Sequence, residues 1–302
     1  MSQLTSITIP KNVTIVGHRA FEGCSDLTSI VWNAQRGSDC SSSIDPFKNI
    51  RNQITSFTFG DSVKYIPNYL CNGMENITSI TIPKNVVSIG NNVFTNCSSL
   101  KSITWNAKNY ADFSSAEKTP FYGIKSQITS FTSWTLQVIV GGDDSKKSNI
   151  AAFLCDGMDK ISSLIIPNSV TTIGQNAFNG CSSLTSLDIP NNVQTIGENA
   201  FRNCSSIESV IIGKSVASIG ENAFANCNSI NSVTWNAKHC SSFGICYIGY
   251  IDGELFQIFD SSPFTTNVST FSFGNEVEHI PGCLFSGMEN LKSITIPNSV
   301  TS

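Results

Sequence analysis

The sequence is poor in charge. Asp, Glu, Lys and Arg together make up 13% of its 302 residues, about half the roughly 25% of an ordinary soluble domain. Its 18 basic and 22 acidic residues leave a net charge of -4. No basic stripe can track a phosphate backbone or an anionic lipid surface, which argues against nucleic acid as a partner. Long apolar runs are missing too. None approaches the 18 or so residues of a membrane-spanning helix, so membrane insertion by a helix of this segment is not expected, and Met1-Ser2-Gln3-Leu4 lacks the charged and apolar regions of a signal peptide. Histidine is scarce: His18, His239 and His279 lie far apart and without metal-ligand spacing. None of the 11 cysteines forms a Cys-x-x-Cys pair, and their odd number argues against a fully bridged framework. No metal, cofactor or catalytic group is expected. His239-Cys240 is the sole local pair resembling a base and a nucleophile. Neighbouring strand residues point to opposite sides, and no third group accompanies them.

What the sequence has in abundance is repetition. Aligned on the first apolar residue, units begin at Leu4, Leu27, Ile54, Ile77, Leu100, Ile128, Ile161, Leu184, Ile207, Ile230, Val268 and Leu291, and seven of the eleven intervals are 23 residues. The clearest unit runs from Leu184 to Ser206. Leu184, Leu187 and Ile189 are spaced as a short strand with one buried face, and Pro190 ends it because it cannot donate to a ladder. Val193 and Ile196 point back to the core, Gly197 permits a tight bend, and Ala200-Phe201 with Cys204 forms a compact return, read as one short helical turn. A single unit cannot bury this face. Stacked units share one continuous core and a parallel sheet. The expected fold is an α/β repeat solenoid of about 12 units of 23 or more residues, with short strands and short helical or irregular returns. It is expected to form one array over residues 1–302, a segment of a longer array whose polar caps lie elsewhere.

The recurring Ile-Pro strand end (Ile9-Pro10, Ile82-Pro83, Ile166-Pro167, Ile189-Pro190, Ile296-Pro297), the Ile-Gly bend and the Ala-Phe-x-x-Cys return (Ala20-Phe21, Ala177-Phe178, Ala200-Phe201, Ala223-Phe224) resemble the BspA-like, or Treponema-type, leucine-rich repeat. The resemblance covers essentially the whole chain. It implies a leucine-rich-repeat horseshoe with a concave parallel β-sheet, and a non-enzymatic surface protein, secreted or cell-attached, that binds matrix proteins or neighbouring cells.

A second level of order lies above the unit. Trp32-Asn33-Ala34, Trp105-Asn106-Ala107 and Trp235-Asn236-Ala237 each lead to a Pro-Phe pair, at Pro46-Phe47, Pro120-Phe121 and Pro263-Phe264. Each Trp falls where Ile9 or Ile189 sits elsewhere and is expected in the core, and the Pro-Phe pairs are expected to replace Ala-Phe. A block of about three units was duplicated, and its copies diverge most at insertions 133–149 and 239–267. Variable loops on a rigid scaffold are where binding usually resides; neutral drift is the alternative. Cys24, Cys97, Cys181, Cys204 and Cys227 share a slot that Met74, Met158 and Met288 fill in other units, which marks a buried apolar position with free thiols.

Residues two and four after each unit start should face outward. The first of these columns is Ser in eleven of twelve units, including Ser163, Ser186 and Ser209, with Thr270 the exception. The second is mostly Thr, interrupted by Val31, Ile165, Asp188 and Ile211. A carpet of hydroxyls is compatible with strands and solubilises the sheet. Its interruption at Ile165, Asp188 and Ile211, flanked by Ser163, Ser186 and Ser209, is the candidate ligand site. The expected function is recognition or adhesion by a monomer that engages an extracellular protein or glycan. The alternative is a structural spacer projecting another domain.

Overall fold

The computed structural model describes residues 3–107, 112–133, 148–240, 242–243, 247–251, 254–258, 263–264 and 267–301. The chain divides into two compact units, Met1–Gln137 and Val138–Ser302. Each is a stack of coils in which the 23-residue period sets one coil upon the next.

In the first unit the outward columns lie on strands Ser6–Ile9, Ser29–Trp32 and Ser56–Phe59, which form one parallel sheet, and on Ser79–Ile82, Ser102–Trp105 and Ser130–Ser133, which form another. Register is set residue for residue: Ser6 lies opposite Ser29 and Ser29 opposite Ser56. In the second unit the equivalent sheet joins Ser186–Asp188, Ser209–Ile212, Ser232–Trp235 and Thr270–Phe273. Side chains alternate as period 2 requires. Ile80 and Ile82 are buried, whereas Ser79 and Thr81 are exposed.

The twelve expected units resolve into about nine stacked turns. At Ile161–Pro167 and Leu291–Pro297 the sequence pattern is intact, yet no strand forms. So short a segment is a strand only by virtue of its ladder partners, and the second unit's ladder begins at Ser186–Asp188 and ends at Thr270–Phe273.

A second parallel ladder runs along the Val-x-x-Ile segments. It joins Tyr65–Ile66 to Ser88–Ile89 in the first unit. In the second it joins Ser148–Ile150, Val170–Ile173, Thr195–Ile196, Ser218–Ile219 and Ser242–Phe243. The Ile-Gly bend owes its glycine to this ladder. Gly197 has no left-handed φ; a Cβ there would lie 2.6 Å from the backbone nitrogen of Gln175 on the preceding coil. The glycine is required by rung-to-rung approach, not by the sharpness of a turn.

The return segment is a pair of turns and not a helical turn. Two left-handed residues stand four apart in most described coils, as at Asn199 (φ 53°) with Asn203 (φ 60°) and Asn222 (φ 55°) with Asn226 (φ 62°), whereas the Pro-Phe coils of the first unit keep one each, Asn49 and Gly123. Asn and Gly tolerate this region best. The turns carry a third set of rung-to-rung bonds, among them Asn199 N–H to the Glu221 carbonyl (2.9 Å), Phe201 N–H to Ala223 (2.8 Å) and Asn203 N–H to Ala225 (2.8 Å). Every face of the coil is thereby hydrogen-bonded to its neighbour.

The core is a stack of like upon like. Phe178, Phe201, Phe224 and Phe264 pack in sequence with ring centroids 5.3–5.5 Å apart. The Pro-Phe pairs do enter the Ala-Phe slot. Phe47 stacks on Phe21, Phe121 on Phe94 and Phe264 on Phe224, while Phe21 N–H and Phe94 N–H bond to the carbonyls of Pro46 and Pro120. Trp32, Trp105 and Trp235 are buried, each edge-on to the Phe of its own block. The residues between Trp and Pro-Phe are thus accommodated without disturbing the aromatic spine.

Candidate recognition face

The six residues singled out from the sequence all belong to the second unit. Ser186 and Ser209 are register partners on adjacent strands, as are Asp188 and Ile211. Asp188 and Ser186 are exposed, Ser209 is half-buried, and Ile211 keeps 40% of its surface in solvent. Between them Leu187 and Val210 point into the core, which fixes the strand and so the direction of its outward residues. Ser163 and Ile165 lie one unit earlier in the stretch that forms no strand. Both are exposed, Ile165 to 71%. The structure therefore pairs Asp188 with Ile211, and Ser186 with Ser209, and leaves Ser163 and Ile165 outside the ladder.

The Asp188 carboxylate has no hydrogen bond or ion pair among the described residues. Other carboxylates of this unit do: Glu276 pairs with Lys214, and Glu278 with Lys238 (3.0 Å) and His239 (3.4 Å). Hydrogen bonding to its lysine holds each of these two carboxyls below the usual range. Further along the face Ser272 donates to Thr234 Oγ1 (3.3 Å). In the first unit the second column reads Thr8, Val31 and Thr58 across one sheet, and Thr81, Thr104 and Thr132 across the other.

Among the described residues, no group of three or more His, Cys, Asp or Glu side chains could hold a metal ion. Cys240 is buried, while the neighbouring His239 is exposed and lies against Glu278. Ten cysteines form no disulfide, and all but Cys283 are buried. Cys246 lies outside the described residues. Thiols of the shared slot donate to carbonyls of the coil before: Cys97 to Cys71 (3.1 Å), Cys204 to Phe178 (3.2 Å), Cys227 to Phe201 (3.1 Å). Burial pushes the Cys97 thiol up to about 12 and that of Cys40 to about 11. The Cys204 thiol is raised by its hydrogen bond with Cys227 and by burial. Cys40, Cys97 and Cys204 are packing groups whose thiols stay protonated near neutrality.

Asn-x-Ser/Thr triplets begin at Asn12, Asn76, Asn96, Asn203 and Asn267, and four of these asparagines are committed to the stack: Asn203 donates to Asn179 Oδ1 (3.0 Å), Asn96 to Asn72 Oδ1 (3.3 Å), Asn267 to the Asn228 carbonyl (2.6 Å) and Asn76 to the Asn52 carbonyl. Of the two insertions, residues 134–147 lie outside the described residues. The second contains an antiparallel hairpin, Tyr247–Ile251 paired with Glu254–Ile258, opposite in direction to every other pairing in the chain's described sheets.

The stacked coils with their Ile-Pro strand ends and Ala-Phe returns correspond to a family model, the BspA type leucine rich repeat region, which matches in six copies over residues 1–111, 148–252 and 256–302. The chain belongs to this BspA-type leucine-rich-repeat family. No curated protein matches it in sequence. Among solved structures, a leucine-rich repeat protein from Bacteroides ovatus is 17% identical, with 98% of this chain and 82% of that one covered and a TM-score of 0.52. One from Eubacterium ventriosum is 17% identical over 90% and 86%, with a TM-score of 0.41. A leucine rich cell surface protein from Faecalibacterium prausnitzii is 20% identical over 96% and 78%, with a TM-score of 0.40. The Bacteroides structure has the same fold. BspA-type repeat proteins are non-enzymatic scaffolds, and this chain is one of them. Membership is consistent with a protein-interaction or surface module. Among the described residues, no helix is long and apolar enough to cross a membrane.

Proposed function

We propose that this BspA-type chain is a cell-surface recognition or adhesion module. It binds a host or neighbouring-cell protein or glycan through its strand face and the insertion at 239–267, as a monomer and as one array. The observation that carries the reading is the outward set of the second unit: Ile165, Asp188 and Ile211 expose aliphatic surface and an unpaired carboxylate where repetition alone would copy Thr. Burying exposed aliphatic surface favours association by roughly 25 cal/mol per Å², whereas keeping it in water gains nothing for folding. Ser163, Ser186 and Ser209 line the patch with hydroxyls that can accept and donate. The hydroxyl face of the first unit supports the second reading, a spacer, for that region alone.

The test is an array of immobilised matrix proteins and glycans probed with three forms. These are the full chain, the face variant Ile165→Thr/Asp188→Thr/Ile211→Thr, and a chain in which 239–267 is replaced by a plain 23-residue unit. Recognition predicts binding by the full chain and its loss in the face variant. Absence of binding to every partner would establish the spacer instead. Sedimentation of the same samples checks the monomer.

A further inference from the structure

Of the twenty-four positions in the two outward columns, Asp188 alone carries a charge. Its carboxylate is exposed, without a partner among the described residues, and set in a surface of neutral hydroxyls. Ile211 lies directly opposite it in the ladder, and Ile165 stands one unit earlier; both are exposed. Adjacent strands are ~4.8 Å apart, so one aliphatic side chain of the face lies within van der Waals reach of whatever binds the carboxylate. A lysine or arginine side chain complements this combination, because its methylene stem packs on aliphatic surface while its head meets a carboxylate. A glycan hydroxyl set against Ile211 would lose its water without gaining a partner, and an acidic segment would meet the carboxylate's charge.

We infer that the patch takes an extended basic and aliphatic polypeptide segment, with a Lys or Arg head on Asp188 and its stem and flanking aliphatic residues against Ile211 and Ile165. This rests on the recognition reading above and narrows its ligand from protein or glycan to a basic peptide.

The probes are three acetylated and amidated peptides, Gly-Ser-Val-Lys-Val-Ser-Gly and the versions with acetyl-lysine or Glu in place of Lys, displayed densely on beads so that avidity reports weak binding. The full chain is expected to bind the lysine beads at least about tenfold more than the other two, with the difference shrinking between 50 and 500 mM salt. Asp188→Asn removes the preference, and Ile211→Thr weakens lysine binding while keeping it. Circular dichroism confirms that both surface variants fold. Equal binding to all three peptides, no binding to any, or a preference that survives Asp188→Asn overturns the inference. If the triple face variant loses an array ligand and yet no peptide is preferred, the recognition face stands and this inference falls. If the triple variant keeps every array ligand, the face itself is removed from the account.

Discussion

The strand faces of the two units are built on the same interior and present different exteriors. Behind both lie stacked Phe rings, buried Trp and thiols bonded to the preceding coil. In front, the first unit repeats Ser and Thr with one Val, whereas the second breaks the pattern at three consecutive units. A repeat interior must be uniform because each coil is the template for the next. An exterior residue answers only to solvent or to a ligand, so departures from the repeat there have no packing explanation.

The largest expected effect tests the shared interior. Phe94→Ala in the first unit and Phe201→Ala in the second each remove a fully buried ring that stacks on a neighbouring coil. Each should cost about 3–5 kcal/mol, read as a fall in the chemical denaturation midpoint. A markedly smaller loss in one unit would break the claim that the interiors are equivalent.

Alkaline pH probes the same interior. The Cys40 and Cys97 thiols have folded pKa values raised to about 11 and about 12. Their contribution is complete below the unfolded thiol pKa and is lost as pH rises through the folded values, since the unfolded chain ionises first. Stability should therefore decline above about pH 9 and less so in Cys97→Ala measured against its own neutral-pH value. A flat profile up to pH 11 would contradict the buried-thiol reading.

A difference between the units comes next. In the first, Arg51 bridges Asp45 (2.7 Å), with Nη1 also donating to the Leu70 (3.1 Å) and Asn72 carbonyls, and so pins a Pro-Phe insertion to the following coil. Asp45 in turn accepts from Phe47 N–H (3.0 Å). Arg51→Ala leaves the half-buried Asp45 carboxylate with the Phe47 N–H but without its cation, and removes the guanidinium from two carbonyls, at about 1–3 kcal/mol. Its effect should appear as early proteolysis within 33–50 and not elsewhere.

A smaller effect has the opposite sign. Phe153 holds a left-handed φ of 60° in a column otherwise rich in Asn. Because αL costs an ordinary residue about 1 kcal/mol more than Asn or Gly, Phe153→Asn should raise the thermal midpoint. If it lowers the midpoint, the half-buried ring contributes more than the strain removes. Smallest of all is Ile211→Thr, which restores the repeat residue on an exposed site and should change stability by less than about 0.5 kcal/mol.

Much of this was legible in one sequence, and the reasons differ by element. Ile-Pro, the Ala-Phe slot and the substitution of Pro-Phe were visible because apolar identity and spacing repeat, and burial follows directly from them. The outward Ser column was visible for the same reason. The paired left-handed turns were missed although their signal was present: Asn199 and Asn203, or Asn222 and Asn226, recur four apart, and asparagine at a fixed position in a tight return points to αL. The second ladder was missed because a two-residue strand such as Thr195–Ile196 exists only through its neighbours. The role of Gly197 depends on the distance between coils, which no single unit encodes. The pairing of Tyr247–Ile251 with Glu254–Ile258 had a readable signal in the sequence, where Asp-Gly, one of the dipeptides favoured in two-residue hairpin loops, separates two β-rich runs. As for the candidate site, alternation placed Asp188 beside Ile211 correctly. It could not place Ile165 outside the ladder, because sequence register continues through a segment whose partners do not.

On the reading proposed above, specificity sits on Ile165, Asp188 and Ile211, three outward residues of a scaffold otherwise indifferent to them. The most direct measurement is binding of Ile165→Thr/Asp188→Thr/Ile211→Thr to a ligand captured by the full chain, with its denaturation midpoint recorded alongside. An unchanged midpoint and at least about tenfold weaker binding, corresponding to 1.4 kcal/mol, are expected. Unchanged binding, or a midpoint that falls with it, would contradict that reading.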